Sequence, residues 1–298
     1  MRHMMTISAT VLVALGVLSA PGANAGASRS TKAKTSGAVN VLYAGSFLDI
    51  MEQRVDPAFH KATGYTVSGF SAGSTALAAE ISGGTQVGDV FISASPVVNA
   101  SLEGSTNGDW VSSYKEFGYS PLVLGYNPKS TFAKALKTLP WYDVVDRSRF
   151  LLGRTDPATD PKGVLAVDAL TGVALSYDQP KLAPLATSGS NVFAETALVG
   201  DLQSGQLDAG FFYAVEAAAA HLKTVPLVGT HLSGQYTVAL LNRAPHEAAA
   251  KAFVAFLLSK AGQKILKSNG VTPIEPALNF NASAVATTTT STDTTTTP

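Results

Sequence analysis

The 298-residue chain contains no cysteine. That excludes disulfides, thiol catalysis and cysteine-ligated zinc, and also the lipid-modified cysteine that tethers many exported proteins. Charge is scarce at 14%, with 21 Lys plus Arg against 21 Asp plus Glu. No global field therefore draws the chain to nucleic acid or to an acidic membrane surface, and an anionic ligand would have to be held by local dipoles. No segment offers the ~20 uninterrupted apolar residues that spanning a bilayer needs. The signatures GxSxG, GxGxxG, GxxxxGK before Ser or Thr, and HExxH are all missing, and the five histidines are scattered without metal-ligand spacing. Nothing in this inventory demands catalysis.

What is present begins with an export signal. Arg2 and His3 lead into an apolar stretch, residues 7–18, and Ala23-Asn24-Ala25 precedes Gly26 as a small-x-small cleavage site. Residues 1–25 read as a secretory signal peptide, so the protein is expected in the periplasm, the cell envelope or outside the cell. Residues 26–38 are Ser, Thr, Lys and Gly with little to bury, a disordered leader. Residues 284–298 are mostly threonine and read as a solvated, disordered tail.

Between these ends, apolar strand-like runs alternate with amphipathic stretches, the pattern of an α/β protein with largely parallel sheets. Strands are expected at VNVLYAG (39–45), TVSGFSA (66–72), DVFISA (89–94), GYSPLVLGYN (118–127), FLLGRTD (150–156), LDAGFFYA (207–214) and QYTVALLN (235–242). Helices are expected over 47–63, 75–82, 163–170, 191–203 and 215–222, with a terminal helix or helix pair ending at Gly270.

Small polar residues recur where strands end and helices begin. AGS (44–46) and SAGST (71–75) each place a serine where it can cap a helix, RTDPATDPKG (154–163) puts Asp and Pro before another, and TSGSNVF (187–193) leads into a fourth. Each serine taken alone is explained by capping. Together, four helix N-termini with unsatisfied N–H groups can hold a dianion without lysine or arginine, beyond the carboxyl ends of the strands where open α/β sheets bind ligands. Tyr213 would add a phenolic donor. Asp160 and Glu216 would repel an oxyanion unless they approach a metal centre within it.

In order and spacing, VLYAGSF, SAGSTALAAEI with GGTQVGDVFISAS, RTDPATDPKG, SNVFAETALVGDLQSGQLDAGFFYAVEA and AAKAFVAFLLSKAGQKILKSNGVTP resemble the molybdate- and tungstate-binding proteins of ABC importers. The resemblance implies a two-lobe α/β clamp of the type II periplasmic-binding-protein fold with the ligand cleft between lobes and a two-strand hinge. Residues 39–119 plus 235–276 would form the first lobe and 120–234 the second. It further implies hydroxyl donors at Ser46 and Ser74, backbone N–H donors at Lys162 and Val192, and the phenol of Tyr213. Asp160 in DPxG and Glu216 in YxxE match the archaeal-type branch, where such carboxylates contact the molybdenum or tungsten. Lys162 stands where the pattern has a small residue, and Ala217 where that branch has an aromatic. The implied partners are the molybdate or tungstate ligand and a membrane permease; the protein would be a monomer with no cofactor.

Binding would bridge the lobes and shift an open ensemble to a closed one. Donor-only sites disfavour protonated ligands such as phosphate, and size would exclude sulfate. The rival readings are the same fold carrying ferric iron on Tyr213 and Glu216, or sulfate or phosphate, and, from another class, a secreted hydrolase using Ser46 or Ser74, which would need a histidine in reach.

Overall fold

The computed structural model describes residues 37–281, which fall within one compact unit. The signal peptide, nearly all of the leader and the threonine tail lie outside the described residues.

Among the described residues nine strands form the sheet structure: β1 (Ala38–Ala44), β2 (Thr66–Ala72), β3 (Val90–Ser93), β4 (Val111–Tyr126), β5 (Leu152–Gly153), β6 (Ala209–Tyr213), β7 (Lys223–Pro226), β8 (Ser233–Leu241) and β9 (Thr272–Phe280). One sheet runs β2-β1-β3-β8-β4 with β9 on the far side of β4, and a second runs β5-β6-β4 with β7 also on β4. The sixteen-residue β4 belongs to both. It pairs with β8 as far as Pro121 and with β6 from Leu122 onward.

The expectation of largely parallel sheets needs correction. β1 is parallel to β2 and β3, and β5 to β6, but every pairing made by β4 and β8 is antiparallel. The chain runs out along β4 and back along β8, so those two strands must oppose each other.

Other differences have local causes. The helical stretch after β1 is a composite of a 3₁₀ turn (Gly45–Phe47), α-turns (Leu48–Ile50), a π segment (Met51–Val55) and an α-helix (Asp56–Thr63). Pro57 has no N–H to return to the preceding turn, and the ladder widens there. β4 begins seven residues earlier than 118, while only Leu152 and Gly153 of residues 150–156 make a ladder. The helix expected from Asn191 starts at Glu195, because Val192 first bridges to Arg154 in extended conformation. β7 and β9 were not legible; Pro273 and Pro276 in β9 are tolerated because β9 is an edge strand.

The closing helix pair is Glu247–Leu257 and Lys260–Ser268, with the Ser259 hydroxyl accepting from the Gly262 N–H at 3.2 Å. Phe253 and Leu257 of the first and Leu266 of the second are buried in the main core, together with Phe59 and β1. Among the described residues, no helix is long and apolar enough to cross a membrane.

Candidate functional site

The ends of β1 and β2 present Gly45-Ser46 and Gly73-Ser74 on one side. Opposite them lie the loop 154–160, the helix Pro161–Ser176, the helix Glu195–Ser204 and the junction of β6 with the helix Ala214–Ala219. Backbone meets backbone across this gap. The Ala76 N–H donates to the Thr159 carbonyl at 3.0 Å, and a Cβ on Gly73 would lie 2.4 Å from that same oxygen, so only glycine permits the approach. Gly163 is similarly required, since a Cβ there would fall 2.6 Å from the backbone of residues 155–157. A cavity of about 400 Å³ opens beside this contact, lined by Ser71, Gly73, Thr155, Asp160, Val192 and Glu195 among others.

Both serines lie inside the first helical turn and cap nothing, which corrects the capping assignment. The Ser46 hydroxyl is 3.1 Å from the Tyr236 hydroxyl, and the Ser74 hydroxyl accepts from the Ala94 N–H at 3.1 Å. Asp160 is the true N-cap of its helix, its Oδ1 accepting from the Lys162 N–H at 3.0 Å. The Val192 N–H turns to the Gly189 carbonyl at 3.3 Å. Both backbone donors expected for a ligand are thus engaged within the chain.

The Lys162 ammonium does not reach solvent. It is fully buried and donates to both oxygens of Glu216, at 2.9 and 2.8 Å, with Glu195 Oε1 at 3.6 Å and the face of Phe212 at 5.5 Å. Burial alone would lower its pKa, yet Glu216, Glu195 and Asp160 together raise it above the usual lysine value. Burial raises the pKa of Asp160 and of Glu216, with Lys162 opposing in both. Glu195 is raised further, by burial and then by the Asp160 charge.

Glu195 is the residue the sequence reading missed. Its carboxylate accepts from the Gly45 N–H at 2.9 Å and the Ser46 N–H at 3.0 Å, so the AGS turn grips an anionic group. The Tyr213 hydroxyl and Asp160 Oδ2 are buried and have no hydrogen-bond partner among the described residues. Orphans of this kind are uncommon in folded proteins. The Tyr213 ring packs edge-on to Tyr236, centroids 5.9 Å apart, and over Gly234, whose absent Cβ would clash with it at 2.6 Å.

Of the seven expected residues, Asp160 and Val192 line the cavity, while Ser46, Ser74, Lys162, Tyr213 and Glu216 are buried around the polar cluster. Neither serine has a histidine as hydrogen-bond partner: His60 bonds the Tyr65 carbonyl and His246 bonds Asp89. Among the described residues no group of three or more His, Cys, Asp or Glu is arranged to hold a metal ion.

Residues 39–272 match the bacterial extracellular solute-binding protein family, and the chain belongs to it. It is a binding protein of the transport class, with no bond to make or break and no cofactor called for. An uncharacterized solute-binding protein of Halobacterium salinarum is 29% identical over 74% of this chain and 79% of its own length. A molybdate/tungstate-binding protein of Pyrococcus abyssi is 25% identical over 56% of this chain, which spans 64% of that relative. Among solved structures, the periplasmic molybdate-binding protein of Azotobacter vinelandii superposes with a TM-score of 0.60 at 21% identity, covering 78% of this chain and 98% of that one. The sulfate-binding protein of Mycobacterium tuberculosis gives 0.62 at 17% identity, covering 80% and 88%. The fold is therefore that of the type II periplasmic binding proteins.

Proposed function

We propose that this protein is exported, captures molybdate or tungstate in the cleft, and delivers it as a monomer to the permease of an ABC importer. The observation that carries the reading is the pair of N–H groups at Gly45 and Ser46, which hold a carboxylate in a two-point grip that two oxygens of an oxyanion would also fit. The unpartnered Tyr213 hydroxyl supplies a further donor, and the unpartnered Asp160 Oδ2, with Glu216 nearby through Lys162, supplies oxygen toward the metal of such an ion. Ser46 and Ser74 would add hydroxyls, and Lys162 and Val192 their N–H groups once the internal bonds rearrange. The Pyrococcus relative's name supports the choice of ligand.

On this reading the lobes are 39–119 plus 235–276 and 120–234. The change of β4's partner from β8 to β6 between Pro121 and Leu122 supports that division. Titration calorimetry of leader-free protein stripped of bound anion tests the reading. Binding of molybdate and tungstate below about 1 μM with sulfate and phosphate far weaker is the expected result; silence toward both metal oxyanions contradicts it.

One observation favours a second reading. The buried, unpartnered Tyr213 hydroxyl, with Glu216 accepting from the Tyr213 N–H at 3.4 Å, also suits ferric iron held by a tyrosine and a carboxylate. A visible charge-transfer band on adding ferric iron, lost in Tyr213→Phe, would select it.

A further inference from the structure

Glu195 is the first residue of its helix and lies 93% buried, reaching 150 residues back along the chain to the AGS turn. Each oxygen takes one N–H, and Lys162 stands 3.6 Å from Oε1. A Cβ on Gly45 would lie 2.5 Å from Glu195 Oε2, so the glycine is what lets the carboxylate seat itself. The contact also joins the two sides of the cleft, since Gly45 follows β1 and Glu195 belongs to the opposite side.

As a purely stabilising device the arrangement is a poor one. It adds a third carboxylate to a buried cluster holding a single ammonium, and desolvating that charge is expensive. A carboxylate seated on two backbone donors is instead what a ligand oxyanion looks like to the protein. The cavity that Glu195 also lines offers the side chain somewhere to go when it leaves.

We infer that Glu195 is a resident surrogate anion: it occupies the Gly45 and Ser46 donors and must be displaced by the incoming oxyanion, which makes it a specificity-determining residue. The inference rests on the oxyanion reading given above. Binding is then an exchange of one anion for another on the same two N–H groups. Affinity measures the difference between them.

The test uses Glu195→Ala and the nearly isosteric Glu195→Gln, whose amide can accept from only one of the two N–H groups. Exchange of the Gly45 and Ser46 amide protons is followed by NMR in leader-free protein, with and without molybdate, and molybdate affinity is measured alongside. In the wild type without ligand both amides should be protected. In Glu195→Ala protection should fall at least about tenfold and return on adding molybdate or a high concentration of acetate, while molybdate binds about tenfold tighter or more. Glu195→Gln should fall between. Unchanged protection in the variants, or weaker molybdate binding in Glu195→Ala, overturns the inference. If neither wild type nor variant binds any oxyanion, the proposed ligand class fails, and the amide protection without ligand still decides whether Glu195 holds those donors.

Discussion

Lys162 Nζ lies 2.8 and 2.9 Å from the two oxygens of Glu216, with neither side chain appreciably exposed. The pair joins the first turn of the helix Pro161–Ser176 to the helix Ala214–Ala219, and the same ammonium stands 3.6 Å from Glu195 and near Asp160. Removing one partner of a buried pair leaves the other as an uncompensated charge.

Lys162→Met should therefore destabilise the protein by about 3–5 kcal/mol. Chemical denaturation measures this, and Lys162→Met with Glu216→Leu should recover part of the loss. A change near zero would mean that the carboxylates are already protonated around the lysine.

The Tyr213 hydroxyl is buried without a hydrogen-bond partner among the described residues. Tyr213→Phe should raise the ligand-free stability by about 1 kcal/mol, because an unsatisfied buried hydroxyl costs about 1–3 kcal/mol. The same substitution should weaken molybdate binding about tenfold. Thermal unfolding with and without molybdate reads both effects. Opposite signs in the two measurements mark a donor reserved for ligand, whereas a loss in both would mark a structural tyrosine.

Gly73 is held against the Thr159 carbonyl with no room for a side chain. Gly73→Ala should hinder closure of the cleft, so ligand affinity should fall at least tenfold while global stability changes by no more than about 1 kcal/mol. Calorimetry paired with denaturation checks this, and small-angle scattering should find the variant more open.

Stability should rise as pH falls below neutrality. Burial and then the Glu52 charge push Asp56 up to about 7, and Asp160, Glu195 and Glu216 move in the same direction. A carboxyl with a higher pKa folded than unfolded keeps its proton better in the folded chain. Its penalty is complete above the folded pKa and fades as pH drops from about 7 toward the unfolded value near 4. Denaturation midpoints from pH 8 to pH 5 should increase, and Asp56→Asn should be steadier at pH 8 with a shallower slope. A wild-type midpoint that falls over this range contradicts the assignment.

How far the sequence spoke follows from the range of each interaction. β1, β2 and β3, with the glycine turns after β1 and β2, were legible because alternation and a terminal AGS or SAGST are local signals. The DPxG helix start was legible too, since Asp160 caps it and Pro161 opens it. β9 was not, because it is an edge strand with two prolines that owes its conformation to β4. Glu195 escaped notice because an acidic residue in a first helical turn is ordinary there, and its partners lie 150 and 149 positions away. The one available hint was that the stretch expected to face a ligand carries a carboxylate at its helix start. The burial of Lys162 was equally hidden, for a lysine in DPxG fits a solvated helix start as well as a sealed ion pair.

The most direct test is crystallisation with tungstate and an anomalous map recorded at the tungsten absorption edge. A single strong tungsten peak is expected in the cleft, bounded by the Gly45 and Ser46 amides, the Tyr213 hydroxyl and Asp160, with the Glu195 carboxylate moved off the amides. A cleft without tungsten, with Glu195 still on Gly45 and Ser46 at saturating tungstate, would contradict it.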